Sequence, residues 1–324
     1  MNAPAARAEW LAERQSGIGG SDVAAILGLS PWNSPLDIYL SKVEPPEDRD
    51  LGEPAYWGNV LERVVADEYT LRTGRPTWSV NATLRAPSMP WLLANIDRAV
   101  GPDADVRDGR LFNVDGILEC KTASAFKASD WGRDGDDDEV PVHYAAQCMH
   151  YLAVTGLDWC DVACLIGGQR FVTKRINRDE DTIAAMIAKV ADFWHQHVLA
   201  RVPPPPTSAA DVLRLYPQDD GAAVEAGEQA LLAYNQAVAL RQQIETLEAE
   251  LEGHTEALKL AIGPCAALTL DGKPLVTWKA SKASARTDWK ALAEQFKPDP
   301  EWQDRFAAAT TTVPGSRRLI FVKR

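Results

Sequence analysis

The chain has 324 residues, a formal net charge of −12, 46% hydrophobic residues and 25% charged ones. That make-up is globular and too long for one core of average size, so two units are expected. No apolar run approaches the ~20 residues that span a bilayer, and the opening MNAPAARAEW lacks a basic-then-apolar leader, so a cytoplasmic protein with no membrane part is expected.

The first organised stretch is ERQSGIGGSDVAAILGLSPW. Ser21 suits a helix N-cap, Asp22 the first turn, and Gly28 a left-handed stop. Free amides at such a start attract anions, and Arg14 lies close enough upstream to join them. A capped helix with no ligand has the same features. YWGNVLERVVADEYTLRTGR follows as a helix by the spacing of Leu61, Val64 and Val65, ended by Gly74. Glu62 lies beside that apolar face, where a boundary residue or salt-bridge partner is expected.

The run from Trp91 to Lys121 carries the sharpest chemistry. Asp97 interrupts an apolar run, and Ile117-Leu118-Glu119-Cys120-Lys121 reads as a strand. Strand side chains alternate, so Glu119 and Lys121 share one face and Leu118 and Cys120 the other. Charge buried in a sheet is costly unless paired or metal-bound, so these groups point to a metal site with a catalytic ammonium. A half-exposed hairpin with acid and lysine facing water is the plainer alternative.

SDWGRDGDDDEVP is a loop by composition, and Pro141 opens a helix that Gly156 closes. Tyr144, Gln147 and Tyr151 fall on one face of it, while His143 and His150 lack a third ligand and read as packing or surface residues. CDVACLIGG and QRFVTKRI form a hairpin through Gly167-Gly168, and a helix then runs to the prolines at 203–206. Cys120, Cys148, Cys160, Cys164 and Cys265, odd in number and mostly in apolar settings, fit reduced thiols better than disulfides or a zinc site.

Beyond the prolines, residues 225–262 read as one long helix with Leu240, Ile244, Leu247, Leu251, His254, Leu258 and Ala261 at alternating steps of four and three. Such a seam needs a partner. A hairpin turning at Asp271-Gly272, helices near Thr287 and Glu301, and a last strand in SRRLIFVKR complete the chain. The expected division is 1–202, a proline-rich linker at 203–224, and a C-terminal unit at 225–324 of unassigned role. Basic residues outnumber acids after Gly263, so the acidic average still leaves room for contacts to phosphate.

In order along the chain, RQSGIGGSDVAAILG, WGNVLE, the Asp97 strand, LECK and YAAQCMHYLAVTG resemble the YqaJ-like viral recombinases, relatives of phage lambda exonuclease within the PD-(D/E)XK nuclease superfamily. The resemblance covers about residues 13–201 and implies a restriction-endonuclease-like α/β core, a mixed central sheet flanked by helices, followed by a long helix and a small α+β unit. It implies that Asp97, Glu119 and the Cys120 carbonyl bind metal, with Glu62 completing the site. Lys121 would orient the attacking water, Gln147 would follow Glu62 in the motif order, and Arg14 and Ser21 would hold a 5′-phosphate.

The activity so implied is 5′-to-3′ digestion of double-stranded DNA with Mg²⁺, or Mn²⁺ as its substitute, leaving 3′ single strands for annealing. A single-strand annealing protein is the implied partner, a homo-oligomer, with a trimeric ring as its lambda-type form, the implied assembly, and a phage or prophage in a bacterial host the implied setting. A structure-specific or nicking endonuclease, or a non-catalytic DNA-binding assembly protein, would keep parts of this pattern. A small-molecule hydrolase has least support, because no GxSxG elbow, Cys–His pair or P-loop is present.

Overall fold

The structure is a computed structural model that describes residues 11–45, 52–107, 109–132, 140–283, 288–296 and 300–311. The chain divides into two compact units, Met1–Tyr216 and Pro217–Arg324.

The first unit is built on a five-stranded mixed sheet. Its strands are β1 (Thr77–Ser79), β4 (Arg98–Val100), β7 (Gly116–Ala123), β8 (Trp159–Ile166) and β9 (Arg170–Asn177), in that spatial order. Neighbours are antiparallel except β7 and β8, which pair in parallel. A parallel pair needs a crossover, and helix α4 (Val142–Thr155) supplies it. Pro141 is its N-cap, and Gly156 ends it at φ 75°.

Helices cover both faces of the sheet. Helix α3 (Gly52–Thr73) buries Val65, Ala66 and Tyr69 against Val100, Leu118, Cys120 and Ala163. Val64, expected on that face, is instead exposed, because the buried stripe lies one step further round the helix. Helix α4 takes the opposite face, where its buried Cys148 and Leu152 join Ile117, Cys160, Val162 and Cys164. The continuous apolar sequence of β8 follows from this double cover. The sheet therefore has the helix–strand–strand–strand–helix–strand core of the PD-(D/E)XK fold, with β9 added at its edge.

Two small hairpins flank the core: β2 (Leu84–Ala86) with β3 (Met89–Ala94), and β5 (Asp105–Arg107) with β6 (Arg110–Phe112). The N-terminal segment adds to β3, with Ile18 N–H donating to the Trp91 carbonyl at 2.7 Å and Leu93 N–H to the Ile18 carbonyl at 2.8 Å. Gly17 makes that approach possible, since a Cβ there would lie 2.1 Å from the Trp91 oxygen. Helices α1 (Gly20–Ile26) and α2 (Pro35–Val43) follow. Helix α5 (Glu180–Phe193) runs into a π turn at Trp194–Leu199.

The proline run does not end the first unit. Past it, helix α6 (Ala209–Leu215) returns to α2, where Asp211 accepts from the Ser34 hydroxyl at 2.8 Å and Arg214 pairs with Asp37. The boundary consequently falls after Tyr216 rather than at residue 202.

The second unit contains the long helix α7 (Glu228–Ile262), the hairpin β10 (Ala267–Leu270) and β11 (Lys273–Thr277) turning at Asp271-Gly272, and helices α8 (Trp289–Phe296) and α9 (Pro300–Ala309). The strand expected in SRRLIFVKR lies outside the described residues. Among the described residues no helix is long and apolar enough to cross a membrane.

Candidate active site

Strand β7 outruns its antiparallel neighbour. Its pairing with β4 ends at Leu118 opposite Arg98, leaving the next backbone groups of β7 to find other partners. Asp97, at the bend just before β4, meets that need by accepting the Cys120 N–H through Oδ2 at 2.8 Å. The aspartate is thus held beside the residues that flank Cys120.

Glu119 and Lys121 occupy the α4 face, as the strand alternation predicts. Glu119 is only 1% exposed. Its Oε1 accepts from the Lys121 ammonium and from Gln147 Nε2, the latter at 2.6 Å. Gln147 reaches it from the middle of α4 and also donates to the Tyr151 hydroxyl at 2.8 Å, and Tyr151 donates to the Asn95 carbonyl at 2.9 Å. One turn of helix thereby links the Asp97 segment to the Glu119 strand. The Lys121 ammonium lies 4.9 Å from the Tyr144 ring centroid, a cation–π arrangement.

The electrostatics follow from this crowding. Burial raises the Asp97 pKa well above the usual carboxylate value, and the neighbouring Glu119 raises it further against the opposing pull of Lys121. Burial alone would lower the Lys121 pKa, but Glu119 and Asp97 together drive it upward, so the amine stays charged. The second oxygen of Glu119, Oε2, is buried with no hydrogen-bond partner. A buried, unpartnered carboxylate oxygen beside a second carboxylate is an anionic oxygen-donor arrangement that suits a hard cation such as Mg²⁺.

Glu62 pairs with Arg98, which also donates to the Asp97 carbonyl at 2.6 Å. Among the described residues no group of three His, Cys, Asp or Glu side chains is gathered as a metal-binding cluster. The fit to a divalent cation therefore rests on Asp97 and Glu119, with main-chain oxygen or water needed to fill the remaining positions.

Arg14 and Ser21 do come together, with Arg14 Nη2 donating to Ser21 Oγ at 3.2 Å. Ser21 is not the cap, however. Helix α1 begins at Gly20 with Gly19 as N-cap, and Asp22 accepts the Gly19 N–H at 2.9 Å. That frees the exposed Ser21 hydroxyl for the Arg14 contact. Asp22 is buried and also bonds Lys42 at 2.7 Å, while Lys42 donates to the Arg14 carbonyl at 2.8 Å. A buried ion pair thus fixes the backbone that carries Arg14.

Helix α1 packs tightly on α4. A Cβ at Gly20 would lie 2.4 Å from Tyr151 Cε1 and 3.1 Å from Gln147 Cγ, so the Ser21 helix leans on the residues that hold Glu119.

The two histidines of α4 are not paired as ligands. His150 is fully buried, with Nε2 2.9 Å from the Leu93 carbonyl, and His143 packs edge-on against Trp32 with centroids 4.8 Å apart. Arg98, Lys42 and the bonding of Tyr151 were not anticipated. Arg98 adjoins Asp97, and a lysine on the apolar side of a short helix is the signal that marks Lys42.

The family model for the YqaJ-like viral recombinase domain matches residues 9–158, which contain Arg14, Ser21, Asp97, Glu119, Lys121 and Gln147. The YqaJ protein of Bacillus subtilis (strain 168) is 34% identical over 307 residues, spanning 92% of this chain and 90% of that protein. The chain belongs to the YqaJ-like viral recombinase family. As in the full-length YqaJ relative, similarity extends past the matched domain into the second unit. Two solved structures overlap this YqaJ-like chain loosely. An alkaline exonuclease from Laribacter hongkongensis has 19% identity and a TM-score of 0.45, covering 60% of this chain and 93% of that one. A phage-related exonuclease from Haemophilus somnus 129PT has 11% identity and a TM-score of 0.43, covering 57% and 96%.

Proposed function

We propose that this chain is a metal-dependent exonuclease that degrades double-stranded DNA from 5′ ends and leaves 3′ single strands for recombination by annealing. The observation that carries the reading is the buried Glu119 carboxylate, with one oxygen fixed by Lys121 and Gln147 and the other unpartnered beside Asp97. Membership of a viral recombinase family supplies the setting.

In this reading Asp97, Glu119 and the Cys120 carbonyl would hold Mg²⁺, with Mn²⁺ as a substitute, and Glu62 would join them on release from Arg98. The cation, when bound, lowers the pKa of water and offsets phosphate charge. The protein's own groups do the positioning. Lys121 Nζ stays protonated, and one of its hydrogens can orient the attacking water or a non-bridging phosphate oxygen while Glu119 holds the amine in place. Gln147 keeps Glu119 Oε1 aimed at that amine. Arg14 and Ser21 bind the terminal 5′-phosphate as a charge-assisted pair, which sets polarity.

The proposed partners are duplex DNA ends, a single-strand annealing protein and further copies of this chain, in the cytoplasm of a bacterial host. The deciding experiment is a time course with Mg²⁺ on linear duplex labelled separately at each end, alongside a covalently closed circle and an EDTA control. Mononucleotides released from 5′-phosphorylated ends with the circle spared are expected. Cutting of the circle moves the reaction to an endonuclease, and no hydrolysis with either Mg²⁺ or Mn²⁺ removes the catalytic reading.

A further inference from the structure

Asp22 and Lys42 form an ion pair inside the first unit, with their side chains 6% and 3% exposed and the ammonium 2.7 Å from Oδ2. Burying two charges is costly, and apolar residues of similar volume would hold α1 to α2 at least as well. The pair stands directly under Arg14, whose side chain is 39% exposed. Arg14 Nη2 lies 3.2 Å from Ser21 Oγ and 3.5 Å from Asp22 Oδ1, so the guanidinium leans on the acid from outside while Lys42 holds it from within. Burial would raise the Asp22 pKa, but Lys42 and, after it, Arg14 keep it below the ordinary carboxylate value, so the acid is ionised.

The backbone is tied down at the same place. Lys42 donates to the Arg14 carbonyl at 2.8 Å. The neighbouring Gln15 donates to the Ser41 and Glu44 carbonyls at 3.0 and 2.6 Å. Arg14 is thereby seated on the last turn of α2, the turn that carries Lys42.

We infer that Lys42 is a positioning residue that makes Arg14 available to a terminal 5′-phosphate, and that Asp22 is the counter-charge it must neutralise. This rests on the end-phosphate role proposed above for Arg14 and Ser21. A phosphate monoester brings about −1.5 to −2 charges and must draw the guanidinium away from Asp22 Oδ1. Without Lys42 that exchange would leave a buried carboxylate with its cation withdrawn, and the acid would also repel the phosphate. With Lys42 present the carboxylate keeps its closer partner, at 2.7 against 3.5 Å, and Arg14 can turn outward. The local charge agrees. Two cations against one acid leave one positive charge for the anion, loss of Lys42 leaves none, and loss of the acid's charge leaves two.

The two halves of one ion pair should therefore act in opposite directions, whereas a purely structural pair would weaken the same function from either side. Binding of 5′-phosphorylated and 5′-hydroxyl duplexes of one sequence is measured by anisotropy on the full chain in Ca²⁺. Lys42→Met, which keeps the volume of the stem, should weaken the phosphorylated duplex by about 10-fold or more. Asp22→Asn, which keeps an acceptor for the Gly19 N–H, should tighten it by about 3- to 10-fold. The hydroxyl duplex should be nearly unchanged in both. A Lys42→Met variant that does not weaken the phosphorylated duplex, or an Asp22→Asn variant that does not tighten it, would overturn the inference, while a preference for that duplex in the unmodified protein leaves the end-phosphate reading standing. An unmodified protein that binds the two duplexes equally would overturn both. Should either variant fail to fold, the other decides alone.

Discussion

The backbone amide of Cys120 is bonded to the carboxylate of Asp97 at 2.8 Å, so the residue between Glu119 and Lys121 also fixes the aspartate that opens β4. The contact replaces a sheet hydrogen bond that β4 is too short to provide. It also brings two carboxylates together inside the protein, which explains the raised Asp97 pKa.

Asp97→Asn separates these two consequences. The amide oxygen still accepts from Cys120, while the charge opposed by Glu119 and by burial disappears. The variant is expected to unfold at a higher temperature than the unmodified protein and to lose DNA hydrolysis by roughly 10²-fold or more. A calorimetric scan and the end-labelled assay read the two effects, and an active variant would remove Asp97 from the site.

Lys121→Ala removes the ammonium and leaves Glu119 Oε1 with Gln147 as its remaining partner. Hydrolysis should fall by about 10²–10⁴-fold, the range of a lost proton-handling group. Duplex binding, measured by anisotropy in Ca²⁺, should change far less. Equal losses in binding and turnover would make the lysine a structural residue.

How far these groups could be read from sequence differs with distance along the chain. Glu119 and Lys121 lie two apart in one strand, and their common face follows from alternation alone. The pairing of Asp97 with Cys120, by contrast, depends on where β4 stops, which no local pattern records. Glu62, at the border of its helix's apolar face, is the salt-bridge partner expected there, although the identity of Arg98 as that partner depends on where β4 lies. Ser21 looked like a cap because serine favours that position, whereas the tight seat of Gly20 on Tyr151 starts the helix one residue earlier. The α4 crossover, both glycine turns and the long helix carried their own start and stop signals. The return of α6 onto α2 is a tertiary contact that the proline run concealed.

Gly20→Ala is predicted to be far more harmful than Gly19→Ala. The new methyl at position 20 would overlap the Tyr151 ring at 2.4 Å, whereas at position 19 the nearest atom is Asp22 Oδ2 at 3.7 Å. Overpacking of this kind costs about 1–3 kcal/mol. It should also shift Tyr151 and, through it, draw Gln147 off Glu119, so turnover should drop more than substrate affinity. Matching behaviour of the two alanine variants would show that α1 does not brace the site.

Arg14→Ala tests the end-phosphate contact. Loss of a charge-assisted pair, about 1.5–3 kcal/mol, should weaken capture of 5′-phosphorylated duplex by roughly 10- to 100-fold and leave 5′-hydroxyl ends nearly unchanged. Initial rates on the two substrates measure it, and equal losses on both would detach Arg14 from the terminal phosphate.

Acid should loosen the first unit through two of its histidines, against the opposite contribution of Asp97, whose raised pKa favours the folded state as it protonates. Burial lowers the His150 pKa below its ordinary 6.5, with the imidazole against the Leu93 carbonyl in the core. The unfolded chain therefore takes up a proton near pH 6.5 while the folded chain remains neutral. Stability is complete above that pH and declines as pH falls toward the folded value, by at most about 1.4 kcal/mol per unit for one group. His143, also lowered by burial, acts in the same direction. Urea unfolding between about pH 7.5 and 5.5 should show the decline, and His150→Gln, which keeps a donor for Leu93 but cannot titrate, should flatten it. An unchanged slope in that variant would mean that His150 is not the group that couples folding to pH.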